Sequence, residues 1–205
     1  MRFRDFESKI GDLPVFNLND VRKVEPDFHR QQLNYWQGQG YIKPLAGGYY
    51  SLVPRTIDEA YLFMVSNKLY EPSYVSLESA LAYYQVIPES VLGVTSVSSR
   101  KTKKYKSDWG VFSYRSVKPE YMFGYRVVET SQKKKYKIAG LEKAVLDYLY
   151  LNSGIQSISD FEGLRWNKAQ LHTLENSSVF HLYLERFDKS ALESRVGLLM
   201  EYLNA

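Results

Sequence analysis

Four side chains able to read base pairs fall on one side of a helix predicted between Asp27 and Gln39. They are Arg30, Gln31, Asn34 and Gln37. At about 100° per residue, the apolar side chains gather on the other side, as Phe28, Leu33, Tyr35 and Trp36. In the major groove, arginine can bond O6 and N7 of guanine, and asparagine or glutamine can bond N6 and N7 of adenine. The helix therefore predicts a DNA-reading element, although taken alone such a face is more often simply solvated.

A shorter helix precedes it, and the chain marks where that helix begins and ends. Asn17 can accept from the free N–H groups of the first turn, and the carboxylate of Asp20 suits the positive helix end. Pro26 disfavours helix in the residue before it and fits the first turn of a new helix. We expect the first helix to stop near Val24 and the reading helix to begin at Pro26 or Asp27.

A small hairpin follows the reading helix. Strands are predicted at Tyr41–Leu45 and Tyr49–Leu52, joined by a turn at Ala46–Gly48, where glycine tolerates positive φ. Lys43 and the Gly-Gly backbone are placed to touch phosphate. With a further helix predicted at Arg2–Ile10, the order is that of a winged helix-turn-helix, which reads DNA through its second helix of the pair.

The fold class predicted is α+β, with residues 1–55 as the winged helix-turn-helix domain and residues 56–205 as a mixed domain. The second domain is expected to hold a small antiparallel sheet with flanking helices. Thr56 and Glu59 form a capping-box pattern at its first helix. Helices are predicted at Ile57–Leu69, Ser76–Tyr84, Leu141–Leu151, near 157–161 and 167–174, and after Asp188. Strands are predicted at Val91–Val97, within Tyr105–Val117, at Tyr125–Glu129 and at Tyr136–Ile138.

Composition narrows the function further. The chain has no cysteine, which excludes disulfides, thiol catalysis and cysteine zinc sites. Its charged N-terminus and lack of a long apolar run predict a soluble cytoplasmic protein. The net charge of +4 is uneven, because residues 56–138 carry 13 basic against 8 acidic side chains, and residues 139–205 carry 6 against 9. A polyanion is therefore expected to meet the first two thirds of the chain.

Two basic runs carry much of that charge. The first is a possible nucleic-acid patch of Arg100, Lys101, Lys103, Lys104 and Lys106, and the second spans residues 133–137. Both are predicted at strand edges or in hairpin loops. Such lysines either contact phosphate or blunt exposed sheet edges, and the pattern leaves both open. Because tyrosines interleave with the lysines, an RNA- or single-strand-binding platform is the alternative function.

The residue types speak against catalysis. Glu142 and Asp147 stand on the helix predicted at Leu141–Leu151, but carboxylates five residues apart on a helix do not face one another. With Lys143, they are interpreted as charges on a helix face that anchor the domain. The three histidines have no ligand spacing, and there is no phosphate-binding loop or serine-nucleophile motif. We expect no enzymatic activity, no metal and no cofactor; an enzyme with an unrecognised site is the third possibility.

Several separate motifs then resemble one family. They are YEPSYVSLESALAYYQVIPE (Tyr70–Glu89), a Thr/Ser/Arg/Lys-rich strand (Thr95–Lys106), GVFSYRSVKPEYMFG (Gly110–Gly124) and IAGLEKAVLDYLYL (Ile138–Leu151). In this order, after a winged helix, they resemble the AbiEi antitoxins, transcriptional regulators of type IV toxin–antitoxin systems in abortive infection. The resemblance implies repression of a shared promoter through the N-terminal domain and antitoxin activity in the second domain. It also implies a paired AbiEii-type nucleotidyltransferase-like toxin, opposed without need of a stable complex.

Overall fold

Two hydrophobic clusters organise the chain in the computed structural model, which describes residues 1–11, 13–53, 57–88 and 93–205. The smaller cluster packs Phe6, Leu33 and Trp36 with five other buried side chains between Phe6 and Ile42. The larger cluster draws on residues 63–203 and on Val15. The chain is a mixed α+β protein with two sheets, one for each cluster.

Three short helices and a three-stranded antiparallel sheet surround the smaller cluster. They are α1 (Phe3–Ile10), β1 (Phe16–Asn17), α2 (Leu18–Val24), α3 (Gln31–Gly38), β2 (Ile42–Pro44) and β3 (Tyr49–Leu52). The strand order is β1-β3-β2. Asn17 caps α2 as predicted, because its side chain accepts from the Asp20 N–H; in addition the Asp20 carboxylate accepts from the Asn17 N–H. The predicted end of α2 at Val24 and the hairpin are confirmed, whereas β1 was not predicted.

The start of α3 was predicted four or five residues too early. Residues 25–30 are not helical, with turns at 26–27 and at 30, and the helix begins at Gln31. Phe28 explains the difference, because its ring is buried and stacks on Phe6 with the centroids 6.1 Å apart. Its N–H donates to the Glu25 carbonyl, so the chain turns inward here before it becomes helical. Arg30 consequently occupies the N-cap of α3 rather than its second turn.

The second sheet is larger than predicted and is mixed, with six strands in the order β6-β7-β5-β4-β9-β8. Two neighbouring pairs are parallel, β5 with β7 and β4 with β9, and the other three are antiparallel, so the prediction of a small, mostly antiparallel sheet is confirmed only in part. Alternating sequence patterns identify strands but not the strands with which they pair, and the three-residue β4 is too short to show such a pattern and was not predicted. The strands are β4 (Ser73–Val75), β5 (Val94–Ser98), β6 (Lys103–Ser107), β7 (Gly110–Ser116), β8 (Tyr125–Glu129) and β9 (Lys135–Ala139).

Helices cover both faces of this sheet. They are α4 (Glu59–Leu69), α5 (Leu77–Tyr83), α6 (Leu141–Leu151), α7 (Ile158–Leu164), α8 (Lys168–Leu171), α9 (Ser178–Phe187) and α10 (Ser190–Asn204). On one face, Ser66 of α4 hydrogen-bonds to Ser96 of β5. On the other, Tyr74 of β4 reaches α6, and Arg115 of β7 donates to the carbonyl of Leu151. The predicted helix at Leu141–Leu151 is confirmed residue for residue, while α9 was not predicted.

Some predictions fall outside the described residues. These are the domain boundary between Arg55 and Thr56, the cap by Thr56, and the start of a strand at Val91. α4 begins at Glu59, two residues later than predicted, and is capped by Asp58, which accepts from the N–H of Tyr61. Over the same described ranges, none of the helices has the length and apolar character needed to cross a bilayer.

Candidate nucleic-acid interface

The polar face of α3 lies on the surface. Arg30, Gln31, Asn34 and Gln37 are all exposed. Leu33 and Trp36, on the other side of the helix, are buried at 1% and 3% exposure. Trp36 packs on Phe6 with the ring centroids 4.5 Å apart, which fixes the rotation of α3 about its own axis. The buried side therefore holds the helix rigidly in place, and the exposed side presents forked hydrogen-bond donors and acceptors.

Tyr35 was placed wrongly among the apolar side chains. It is 63% exposed and belongs to the outward surface of α3. The error follows from the predicted start of the helix, which made the apolar side seem broader than it is. At about 100° per residue, Tyr35 lies only about 40° around the axis from Gln31. An exposed tyrosine beside the polar side chains adds a ring that can pack against sugar or base.

The hairpin after α3 packs against the second sheet. Its tip is a 3-10 turn at Ala46–Gly48, in which Gly47 and Gly48 have φ of 68° and 79°. A Cβ added at Gly47 would lie 3.6 Å from the hydroxyl of Tyr105 in β6. Gly47 therefore has Tyr105 on one side, although the residue itself is exposed, and the expectation that the Gly-Gly backbone touches phosphate stays a prediction. Gly48 has nothing near its missing side chain, and Lys43 is exposed.

Hydrogen bonds and packing join the first unit of the chain, from α1 to β3, to the second unit, from α4 to α10. The hydroxyl of Tyr61 in α4 donates to the carbonyl of Pro14 at 2.8 Å, and lies 2.7 Å from the hydroxyl of Ser51. Leu45 and Tyr49 of the hairpin pack against the larger hydrophobic cluster. The hairpin and the edge strand β6 are thus held in a fixed relation.

The first basic run lies along β6, which pairs with β7 and stands at one end of the strand order of the sheet. Successive side chains of a strand point to opposite faces. Lys103 therefore shares a face with Tyr105, the residue against which the hairpin packs, while Lys104 and Lys106 point to the other face. Closeness in sequence does not make these lysines a single patch.

Arg100 and Lys101, which precede β6, are tied to the same sheet. The Arg100 guanidinium lies 4.3 Å from the centroid of the Tyr70 ring and donates to the carbonyl of Glu71 at 3.1 Å. The carbonyl of Lys101 accepts from the Tyr70 hydroxyl at 2.8 Å. Arg100 remains exposed, so its outer nitrogens are still accessible to an anion. The Lys43 amine stands 4.0 Å from the carboxylate of Asp108, an exposed and weak pairing.

The tyrosine of β6 is engaged by its neighbours. Tyr105 packs edge-on against Tyr70 and Tyr114, with centroids 6.2 Å and 6.0 Å away. Burial, reinforced by Tyr70, raises the pKa of Tyr105. Tyr136, in the second basic run, is buried against Phe63. Tyr136 is therefore closed to a stacking base, whereas Tyr105 is half-buried, with two rings packed against it.

Lys143 and Asp147 are not charges on a helix face, as the sequence suggested, but a fully buried ion pair. Both are 0% exposed, and the Lys143 amine contacts one oxygen of the Asp147 carboxylate. The other carboxylate oxygen, Oδ2, accepts from the hydroxyls of Tyr74 and Ser76, each at 2.9 Å. Ser76 begins α5 as predicted, yet its hydroxyl serves Asp147 instead of capping the helix.

The surroundings of this pair oppose both charges. Burial lowers the pKa of Lys143 and raises the pKa of Asp147, and their mutual attraction partly offsets each effect. The Lys143 amine also lies 4.8 Å and 4.6 Å from the ring centroids of Phe123 and Phe187. With no exposure to solvent, the pair offers no approach to a substrate. We assign it to holding β4, α5 and α6 together. Glu142, the third charge of the group, is half-buried and accepts from Ser177.

Comparisons with known proteins add nothing to this description: neither a protein-family model nor a curated protein matches the chain. Within the described ranges, no group of three histidine or carboxylate side chains is placed to hold a metal ion. The chemistry on which a function can be argued is therefore that of the exposed face of α3 and of the basic strand β6.

Proposed function

We propose that the chain is a sequence-specific DNA-binding repressor that reads the major groove through α3. The observation that carries the proposal is the exposed face of Arg30, Gln31, Asn34 and Gln37 on a helix whose other side is locked into an aromatic core. Side chains of these types supply the hydrogen-bond patterns that distinguish base pairs. A repressor of this kind acts on cytoplasmic DNA, which is the location we propose.

The order of elements supports the same proposal. The first unit runs α1, β1, α2, α3, β2, β3, with the last two strands forming a hairpin beside the reading helix. A winged helix-turn-helix has this plan, with the hairpin as its wing. The packing of Gly47 against Tyr105 modifies the plan, because it directs part of the wing toward the second sheet. Phosphate contacts beyond α3 are then left to Lys43 and to the exposed cations of β6.

Binding to the DNA upstream of the gene, measured by fluorescence anisotropy against a random duplex, tests the proposal. Arg30→Ala, Gln31→Ala and Asn34→Ala should each weaken specific binding by about 1–3 kcal/mol if the side chain touches a base edge. Arg165→Ala, which removes an exposed cation at the end of α7, is the matched control and should leave binding unchanged. Equal losses on both duplexes would make the residue a phosphate contact, and no loss would place the interface elsewhere.

We further propose that the second unit carries antitoxin activity of the AbiEi type, opposing a nucleotidyltransferase-like toxin without a stable complex. The motifs from Tyr70 to Leu151 that resemble this family support it. Asn34→Ala should then abolish repression of the promoter while cells stay protected from the toxin. Loss of protection together with repression, at normal protein levels, would contradict a separation of the two activities.

Double-stranded DNA is preferred to RNA or single strands as the partner. A single-strand platform needs aromatic rings with free faces in a basic groove. Tyr136 is buried and Tyr105 is half-buried against other tyrosines, so the rings of the two basic segments meet that need poorly. A competition experiment decides between the two partners, with the protein bound to a labelled specific duplex and unlabelled single-stranded RNA added. The RNA should displace the labelled duplex no better than an unlabelled random duplex does.

A further inference from the structure

The two ends of the six-stranded sheet differ in how they are protected. β6, at one end, carries Lys103, Lys104 and Lys106, and the tip of the hairpin packs on one of its faces. β8, at the other end, has the sequence Tyr-Arg-Val-Val-Glu and contains neither lysine nor proline. Lysine and proline are the residues that commonly keep an end strand from pairing with another chain. β8 is therefore the end of the sheet at which a further strand can be added.

Every second residue of β8 turns its backbone away from β9. The Gly140 N–H donates to the Gly124 carbonyl at 2.9 Å, so the pair just before β8 is hydrogen-bonded. Bonded and non-bonded pairs alternate along an antiparallel ladder. In the observed register the N–H and C=O groups of Tyr125, Val127 and Glu129 consequently point outward. Among the described residues, no backbone group outside β9 bonds to them.

The side chains beside these outward groups are open as well. Val127, in the middle of the strand, is 58% exposed, and Tyr125 is 38% exposed. Tyr125 stacks on Tyr74 with the ring centroids 4.9 Å apart, which holds this part of β8 against the sheet. A partner strand would bond the free backbone groups and cover the exposed valine at the same time.

β8 is complementary to a second copy of itself. Two copies can pair antiparallel about a two-fold axis at Val127, so that Val127 faces Val127 and Tyr125 faces Glu129 of the other copy. This register is the one in which all three outward-pointing residues of each copy exchange N–H···O bonds. Arg126 then faces Val128, so no two like charges are directly opposed.

β6 lacks this complementarity. The same arrangement centred on Tyr105 would set Lys104 against Lys106 of the other copy, and like charges directly opposite destabilise a strand pair. We propose that β8 pairs with β8 of a second copy of the chain, which joins the two six-stranded sheets in a symmetric dimer. The inference goes beyond the proposed function and is tested without DNA.

Sedimentation velocity and amide hydrogen exchange of the full chain test the proposal. Two five-residue strands bury less than a standard interface of about 1,600 Å², so the dimer should be reversible, with an affinity in the micromolar range. Between about 1 μM and about 500 μM, the sedimentation coefficient should rise from that of a monomer to that of a dimer. The amides of Tyr125, Val127 and Glu129 should exchange more slowly as the dimer forms. Those of Arg126 and Val128, already bonded to β9, should change little.

Substitutions at position 127 test the position of the axis. Val127→Lys and Val127→Glu each place two like charges opposite one another and should weaken dimerisation by about tenfold. A mixture of the two variants should dimerise more tightly than either variant alone, because opposite charges then meet at the axis. Neither variant should lower the unfolding temperature of the monomer, since the side chain of Val127 is exposed.

The matched control is Leu182→Lys, which makes the same kind of change at a 60% exposed apolar residue of α9. It should leave dimerisation unchanged. The proposal is overturned if the chain stays monomeric up to the highest concentration, which would leave β8 to a strand of a different protein. A dimer that does not protect the three outward amides, or that Leu182→Lys weakens as much as Val127→Lys does, overturns it as well.

Discussion

Removing one member of the buried Lys143–Asp147 pair should destabilise the fold far more than removing both. Asp147→Asn keeps the shape of the side chain and an oxygen that can accept from Tyr74 and Ser76. It leaves the Lys143 ammonium buried without its counter-charge, among aromatic rings. The change therefore isolates the charge from the packing and the neighbouring hydrogen bonds.

The size of the effect follows from complete burial at 0% exposure. Breaking a buried ion pair on one side costs about 3–5 kcal/mol, because the remaining charge is uncompensated. For a chain of this size, each kcal/mol lowers the unfolding temperature by about 2–4 °C, so the expected drop is about 6–20 °C. The double variant Lys143→Met/Asp147→Asn leaves no buried charge and should recover much of this loss.

Thermal and urea unfolding followed by circular dichroism measure these differences, and pH supplies a second readout. In Lys143→Met, the carboxyl of Asp147 loses the cation that lowers its pKa, while burial still raises that pKa. A group whose pKa is raised on folding contributes stability below its unfolded pKa and loses it as pH rises through the folded pKa. The deficit of Lys143→Met relative to the native chain should therefore be smaller at pH 5 than at pH 8.

Glu120→Gln, in the exposed pair with Lys118, is the control and should change stability by less than about 0.5 kcal/mol. The reasoning is refuted if the two single substitutions simply add in the double variant, since additivity means that the charges do not depend on each other. A loss from Asp147→Asn no larger than that of the control would refute it as well.

Three further predictions concern other parts of the structure. If DNA meets the face of β6 on which the hairpin packs, Lys103→Gln should flatten the slope of log affinity against log salt by about 0.9, because one phosphate contact is lost. Lys104→Gln, on the other face, should leave the slope unchanged. The reverse result would place DNA on the face of Lys104. Tyr61→Phe removes the hydroxyl that donates to Pro14 and should lower stability by about 1 kcal/mol in urea, whereas no change would mean that the two units are joined by packing alone. Backbone and hydroxyl donors lower the pKa of Asp160 at the start of α7. The ionised Asp160 side chain therefore stabilises the fold above its unfolded pKa, and this stabilisation is lost as pH falls through the folded pKa. Asp160→Asn should narrow the difference in unfolding temperature between pH 7 and pH 2.

Local signals predicted the elements whose ends are set by their own residues. Asn17 accepts from N–H groups of the first turn as predicted, so α2 begins where expected, and Asp20 adds a bond to the Asn17 N–H that was not predicted. The period of α6 gave both of its ends. The apolar side predicted for α3 was partly wrong. The turn at Phe28, which delays the start of the helix, depends on contacts with Phe6 and not on the neighbours of Phe28 in sequence.

The remaining features depend on residues far apart in the chain. The partners of Asp147 are Tyr74 and Ser76, more than 70 residues away, and without them a charged side chain is expected on the surface. The opposite charges at positions 143 and 147, four apart on a helix whose one other charged residue is Glu142, were the available indication of a pair.

The seam between the two hydrophobic clusters has a consequence for how the protein comes apart. Val15 belongs to the larger cluster although it lies in the first unit, and Leu45 and Tyr49 pack there too. Separating the two units would expose these apolar side chains to water and remove the hydrogen bond from the Tyr61 hydroxyl to the Pro14 carbonyl. The amides around both clusters should then exchange with heavy water at similar rates, through one cooperative opening. The first unit is in this sense not an interchangeable module, since grafting it elsewhere would require a new cover for the same three side chains.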